Sequence, residues 1–207
     1  MGSTGSCVLT LKIAKSGNYR AKTSSKTITR KTYKVGQTGP GGGKIFYVDL
    51  TRPAGSKYFE AACAGWQNNC DGKTADPEAK WMIGSSGAGA DGTAIGTGEQ
   101  NTAEIVDMDY ATAGIAGRLA DAYSNGGQSD WFLPSPDELN QMYIQRYALG
   151  YFHRVVCWGD RYWSSSQFIS DYYGAGVEAW AYDFRDGTNY FNLFQDNTAC
   201  VWPVRSF

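Results

Sequence analysis

The sequence predicts an α+β fold with small, mostly antiparallel sheets, two or three helices and long loops, preceded by an N-terminal β-hairpin. Strand-like segments stand towards both ends of the 207 residues, and helical periodicity is confined to the middle. Twenty-six glycines and only 19% charged residues describe a loop-rich globular chain. Residues 162–207 hold thirteen Phe, Tyr and Trp, about twice the density of the whole chain, around an Asp186-Gly187 turn signal. The length suits one domain over 33–207 with a β-strand or hairpin extension over 1–32.

Taken in order, Cys7 to Ala14 alternates, Ser16-Gly17-Asn18-Tyr19 breaks the pattern, and Thr27 to Arg30 resumes it, so two or three strands are expected. Thr38 to Lys44 is glycine-rich without being a phosphate loop. Thr38 stands where such a loop needs its first glycine, and Ile45 replaces the magnesium-binding hydroxyl. It reads as a tight turn feeding a strand, Lys44 to Val48, with a second strand over Tyr58 to Ala62. Residues 64–98 read as loop, pinned by Trp66 and Trp81, and the glycines from Ser85 to Gly98 as coil.

Helices are expected from Asn101, over Thr112 to Tyr123 with a stop at Asn125-Gly126-Gly127, and from Pro136. Ser135 and Glu138 form a capping box, and Pro136 occupies the first helical position, where its missing N–H costs nothing. Leu139, Met142, Tyr143, Arg146 and Tyr147 then recur at helical spacing. Capping and the helix dipole account for Asp137 and Glu138 without a catalytic role. In the C-terminal segment a period of two puts Trp180, Tyr182 and Phe184 on one face and Ala181, Asp183 and Arg185 on the other. Asp186-Gly187 suits a two-residue type I′ turn.

Composition excludes several classes. No run of eighteen apolar residues exists, so no membrane span is expected, and no apolar leader marks a secretory signal within these residues. Net charge is −1, yet residues 1–48 carry nine Lys and Arg and no acid. This basic arm reads as a solvated hairpin whose lysines guard its edges. Nucleic acid or an anionic surface is the sharper alternative, and no base-stacking platform supports nucleic acid. Cys7, Cys63, Cys70, Cys157 and Cys200, with His153 as the one histidine, do not make a zinc cluster. Cys63 and Cys70 bracket a short loop compatible with either a disulfide or two buried thiols.

Several motifs recur together and in order in one group of proteins. They are Val35-Gly36 with Gly39-Pro40-Gly41-Gly42 and Ile45-Phe46-Tyr47, then Gly92 to Gly98, then Asp130-Trp131-Phe132-Leu133-Pro134-Ser135 with Asp137-Glu138-Leu139. Tyr162-Trp163-Ser164-Ser165-Ser166, Ala179-Trp180 with Phe184 and Gly187, and the closing Val204 to Phe207 follow. Over residues 33–207 the chain resembles the collagen-like-protein C-terminal (Lcl-type) domains, a bacterial and archaeal branch of the C-type-lectin fold. That fold is shared with formylglycine-generating enzymes and with the variable proteins of diversity-generating retroelements, whose C-terminal surface residues are diversified at adenines. Residues 7–33 are similar, over a short stretch, to the closing strands of bacterial immunoglobulin-like repeats. The family more often ends Val-Arg-Pro-Val-Arg, whereas here Trp202 stands at the first arginine position, a change that one adenine of an AGG codon would produce. Residues 169–200 also contain only Glu178, Trp180 and Gln195 of the five types that adenine mutagenesis of Asn codons cannot make.

The resemblance implies a C-type-lectin-like frame and a non-enzymatic protein that presents a diversified C-terminal surface. It places Trp131, Pro134, Ser135, Glu138, Trp163, Trp180, Phe184, Val204 and Phe207 in the frame. It makes Tyr172, Tyr173, Ala181, Tyr182, Asp183, Arg185, Asp186, Tyr190, Phe191, Leu193, Phe194, Asp196 and Trp202 contact residues, with Tyr182 needing a β-bulge to turn outward. The expected partner is a protein or glycan on another cell or particle, with the chain on a cell surface, secreted or on a virion, and no cofactor. A structural calcium ion has no sequence support, and calcium-mediated sugar binding is disfavoured because the Glu-Pro-Asn, Gln-Pro-Asp and Trp-Asn-Asp motifs of calcium-dependent lectins are absent. Two alternatives stand beside this reading. One is an invariant carbohydrate-binding or adhesive domain. The other is an oxidase like the formylglycine-generating enzymes, which would need Cys157 and Cys200, forty-three residues apart, to meet in space.

Overall fold

A computed structural model describes residues 6–29, 31–67, 70, 74–83, 88–108, 113–150 and 160–207. The chain divides into two compact units, Met1–Tyr33 and Lys34–Phe207. In the first, β1 (Ser6–Ile13) pairs antiparallel with β2 (Lys22–Thr29), in register from Ser6↔Thr29 to Ile13↔Lys22. The connection turns at Ser16–Tyr19, where the Tyr19 N–H donates to the Ser16 carbonyl at 3.0 Å and Gly17 takes φ +55°. Among the described residues two strands form here, the lower of the two numbers that the alternation allows.

The second unit is mixed α+β, with three helices and mostly antiparallel sheets among the described residues. One sheet has the order β10-β4-β3, built from β3 (Lys44–Val48), β4 (Tyr58–Ala61) and β10 (Val204–Ser206). A single 3₁₀ turn, Ala64–Trp66, follows β4. The larger sheet has the order β5-β9-β6-β7-β8. Its strands are β5 (Glu78–Lys80), β6 (Arg161–Ser170), β7 (Gly174–Asp183), β8 (Asn189–Phe194) and β9 (Thr198–Cys200). β6 and β9 make one parallel pairing, Tyr162↔Cys200.

The helices are α1 (Gly98–Met108), α2 (Ala116–Asp121) and α3 (Pro136–Ile144). α1 opens three residues before Asn101, because Gly98 packs where a Cβ would meet Glu138 at 2.5 Å and the Thr102 hydroxyl donates to the Gly98 carbonyl at 2.7 Å. α2 is shorter than the 112–123 periodicity suggests. Thr112 lies outside the described residues, and the chain tightens after Asp121 into an i→i+3 bond from Tyr123 to Ala120 at 3.2 Å. α3 carries the capping box in full: Ser135 Oγ accepts from the Glu138 N–H and the Glu138 carboxylate accepts from the Ser135 N–H. Leu139 and Met142 are fully buried, but Tyr147 is exposed because the helix has already ended.

Two cores sit on opposite faces of the larger sheet, one rich in aromatic rings and the other in alanine. Tyr162, Tyr182, Phe184, Cys200 and Trp202 point into one, with Phe46, Phe59, Leu139 and Met142. Trp163, Ala179, Ala181, Ala199 and Val201 point into the other, with Trp81, Ile105 and Ile115. Trp66 and Trp81 do act as pins: their indole N–H groups donate to Val201 at 3.1 Å and Ser164 at 2.7 Å. Joining the sheets to the loops is an ion network in which Arg205 and Glu60 are buried and Asp130 is exposed. Arg205 donates to Glu60 at 2.7 Å and grips both Asp130 oxygens at 2.6 and 2.7 Å. The glycine turn at 38–44 lies over this network, since a Cβ on Gly39 would collide with the Glu60 carboxylate and one on Gly41 would meet it at 2.6 Å.

Candidate functional site

The candidate surface is built by β6, β7, β8 and the turns between them. At the end of the sheet nearest Tyr162 both faces are covered over parts of β6 and β7, so Tyr162 to Gln167 and Ala181 to Asp183 are buried in succession instead of at every second residue. This overturns four expected contact residues. Ala181 and Tyr182 are 1% and 5% exposed, and Asp183 and Trp202 are wholly buried. Tyr182 needs no outward bulge; its ring packs against Tyr143 and Phe184, and its hydroxyl donates to Asn140 Oδ1 at 2.9 Å. Trp202 rests on Tyr162 and Phe184, with its indole N–H on the Ala62 carbonyl at 2.8 Å. A core position of this kind leaves no room for a diversified contact residue, whatever its codon history.

Asp183 holds the turn that follows it. Its carboxylate accepts from Arg185 Nε and Nη2 and lies 3.7 Å from Arg161 Nε, while the Arg161 guanidinium stands 4.7 Å over the Tyr190 ring. The carboxylate raises the already high Arg185 pKa further. Burial pushes the neighbouring Asp160 carboxyl up, and hydrogen bonds from Thr188 hold Asp186 below its usual range. The connection is not the two-residue type I′ turn expected at Asp186-Gly187. It spans residues 184–188: the Gly187 N–H donates to the Asp183 carbonyl, Asp186 accepts from the Thr188 N–H, and only Gly187 takes positive φ, at +82°. Burial of Phe184 goes with a five-residue loop, three residues longer than the two-residue hairpin turn expected.

At the other end of the same strands the aromatics reach solvent. Tyr172 is 85% exposed, Tyr173 53% and Phe194 40%. Tyr172 and Tyr173 pack edge to face at 4.7 Å and 84°, and Tyr173 meets Phe194 at 5.5 Å and 69°. Ser170 Oγ accepts from the backbone N–H groups of Tyr172 and Tyr173 at 3.1 and 3.2 Å, which fixes the β6–β7 turn. The pairing Glu178↔Phe194 brings β8 alongside that turn. Asp196 is exposed two residues on. Phe168 and Trp180 are half-buried and cross edge to face at 5.8 Å on the strands leading to the turn. Ile169, 56% exposed, belongs to this end and escaped the sequence reading. Its signal was the single large aliphatic residue between Phe168 and the turn.

The expected contact residues therefore fall into two groups. Tyr172, Tyr173 and Phe194 share one end of the sheet; Arg185 and Asp186, both exposed, lie at the other, a full strand length of about 30 Å away at ~3.3 Å per residue. Tyr190 and Leu193 are half-buried against the second core, and the Phe191 side chain lies outside the described residues. Of the expected frame, Trp131, Pro134, Ser135, Glu138, Trp163, Phe184 and Val204 are buried, whereas Trp180 and Phe207 are half-buried, Phe207 stacking on Tyr58 at 5.4 Å. Burial pushes the Glu138 carboxyl up to about 7 against the pull of N–H donors from Ser135, Gly96 and Gly98.

Cys63 and Cys70 form a disulfide, and the wholly buried Cys200 is disulfide-bonded as well. The proposed oxidase pairing with Cys157 and any role for His153 fall outside the described residues. Among the described residues no group of three or more His, Cys, Asp or Glu is placed to hold a metal ion, and no helix is long and apolar enough to cross a membrane. No family model matches the chain, and neither the curated proteins nor the solved structures yield a significant match.

Proposed function

We propose that the chain is a non-enzymatic ligand-binding protein of the receptor or adhesin type, built on a C-type-lectin-like frame and presenting its C-terminal surface to a protein or glycan. The observation that carries this reading is the contiguous exposed cluster of Tyr172, Tyr173 and Phe194 at the β6–β7 turn and the end of β8, while Tyr162, Tyr182 and Phe184 at the opposite end are buried. Tyr and Phe anchors on a fixed backbone supply contact area at low entropic cost, and here the backbone is fixed by Ser170 and by the β7–β8 pairing. The motif order that resembles the Lcl-type domains supports diversification of this region, as in diversity-generating retroelement proteins. The paratope is smaller than the resemblance alone implies: Tyr172, Tyr173, Phe194 and Asp196 at one end, with Arg185 and Asp186 as a separate patch. The Cys63–Cys70 disulfide suits an oxidising setting such as a cell surface, a secreted pool or a virion.

Sequencing the 3′ end of the gene across a population tests this. Substitutions should cluster at Tyr172, Tyr173, Arg185, Asp186, Phe194 and Asp196, trace to template adenines, and spare Ala181, Tyr182, Asp183 and Trp202. An invariant 3′ end would remove the diversification, and chelator-resistant glycan-array binding would then assign a constant carbohydrate-binding module.

A further inference from the structure

We propose that the β1–β2 hairpin is a docking element for an anionic lipid surface. The register places Leu9 opposite Lys26, Leu11 opposite Ser24 and Ile13 opposite Lys22, so directly paired residues share one face. Thr10 opposite Ser25 and Lys12 opposite Thr23 lie on the other, where the two hydroxyls of Thr10 and Ser25 meet at 3.2 Å. The first face is apolar and cationic at once: Leu9 is 67% exposed, Leu11 62% and Ile13 54%, and Lys22 and Lys26 are exposed beside them. Residues 1–33 hold seven Lys and Arg and no acid. Tyr19, 81% exposed, stands at the turn, a residue type suited to the headgroup level of a bilayer.

Charge and apolarity on one face select the partner. A nucleic acid or other soluble polyanion would use the lysines and leave Leu9, Leu11 and Ile13 in water. A second copy would bring seven cations against seven. A bilayer with anionic headgroups accepts both, the aliphatic side chains entering the acyl boundary while lysines extend to the phosphates. The Thr- and Ser-rich reverse face remains towards water. Such a contact lies on the membrane and does not cross it.

Flotation of the whole chain with phosphatidylcholine vesicles, with and without 30% phosphatidylglycerol, tests this as an assay composition of about one anionic lipid in three. The expected result is binding to the anionic vesicles alone, weakened by salt. The double variant Leu9→Ser, Leu11→Ser should weaken it by about tenfold or more, and Lys22→Gln or Lys26→Gln by about fivefold each. Val8→Ser, on the reverse face of the same strand, should leave binding unchanged. Three results overturn the proposal. They are no binding to anionic vesicles, binding that survives the Leu9 and Leu11 substitutions and is competed by soluble polyanions, and equal loss on Val8→Ser, which would trace the effect to folding of the hairpin.

Discussion

At one end of the large sheet Tyr162, Tyr182, Phe184 and Trp202 close on one another beneath α3; at the other end Tyr172, Tyr173 and Phe194 meet edge to face and are exposed to solvent. Both sets are aromatic and both belong to the strands β6 to β9 and the segments that join or follow them. What separates them is the layer opposite the sheet. Where α3 and the small sheet face it, an aromatic ring gains full burial and a partner for its polar atom. Beyond their reach the same residue type stays exposed. Aromatic density in a sequence therefore reports total ring area, and the position of the covering layers divides it between core and surface.

That contrast can be broken most forcefully at Trp202. Trp202→Ala should cost about 3–5 kcal/mol of folding stability, since it empties a site where the indole is wholly buried between Tyr162, Phe184 and the Ala62 carbonyl. Urea denaturation followed by tryptophan fluorescence measures it. A loss below about 1 kcal/mol would mean that the ring is not part of the core.

A second test concerns Glu138, which ties α3 to the loop before α1 and so helps hold the covering layer in place. Its folded pKa of about 7 exceeds its ordinary value of 4.5, so between those values the folded state holds the proton more tightly than the unfolded state. The stability it contributes is complete below about pH 4.5 and is lost as pH rises through 7, by up to about 3 kcal/mol at 1.36 kcal/mol per unit. Denaturation midpoints between pH 4.5 and 8 should fall accordingly, and Glu138→Gln should flatten that slope. An unchanged slope in the variant would assign the pH dependence to other groups.

The smallest effect on folding belongs to the exposed end. Tyr172→Ser should change stability by no more than about 0.5 kcal/mol, because an 85% exposed ring contributes little to the core. In the same variant, binding to whichever ligand this form recognises should fall by about tenfold or more if Tyr172 is an anchor. Stability loss comparable to Trp202→Ala would erase the distinction between the two ends.

Local chemistry was legible from the residues. The Ser135–Glu138 capping box, Pro136 at the helix start, the β3 strand after the glycine turn and the Ser16–Tyr19 turn each follow from contacts within a few residues. The alternation of Trp180, Tyr182 and Phe184 was also legible and placed Tyr182 inward, against the family likeness that turned it outward. The five-residue loop at 184–188 was not, because it depends on how deeply α3 and Trp202 draw Phe184 into the core. The burial of Ala181 and Asp183 was equally hidden, since a period of two says which residues share a face and nothing about whether both faces are covered.

By itself the sequence determined what short-range hydrogen bonding and side-chain period dictate: β3, β4 and the facing of β7, the capped helix, the α+β order and the excess of aromatic rings near the C-terminus, but not β5, which lies in a stretch read as loop. Only the tertiary structure decided which rings are structural and which are available. That decision rests on the second layer across the sheet, assembled from residues such as Phe46, Phe59 and Leu139 that lie far away in the chain, and burial is a property of both surfaces together.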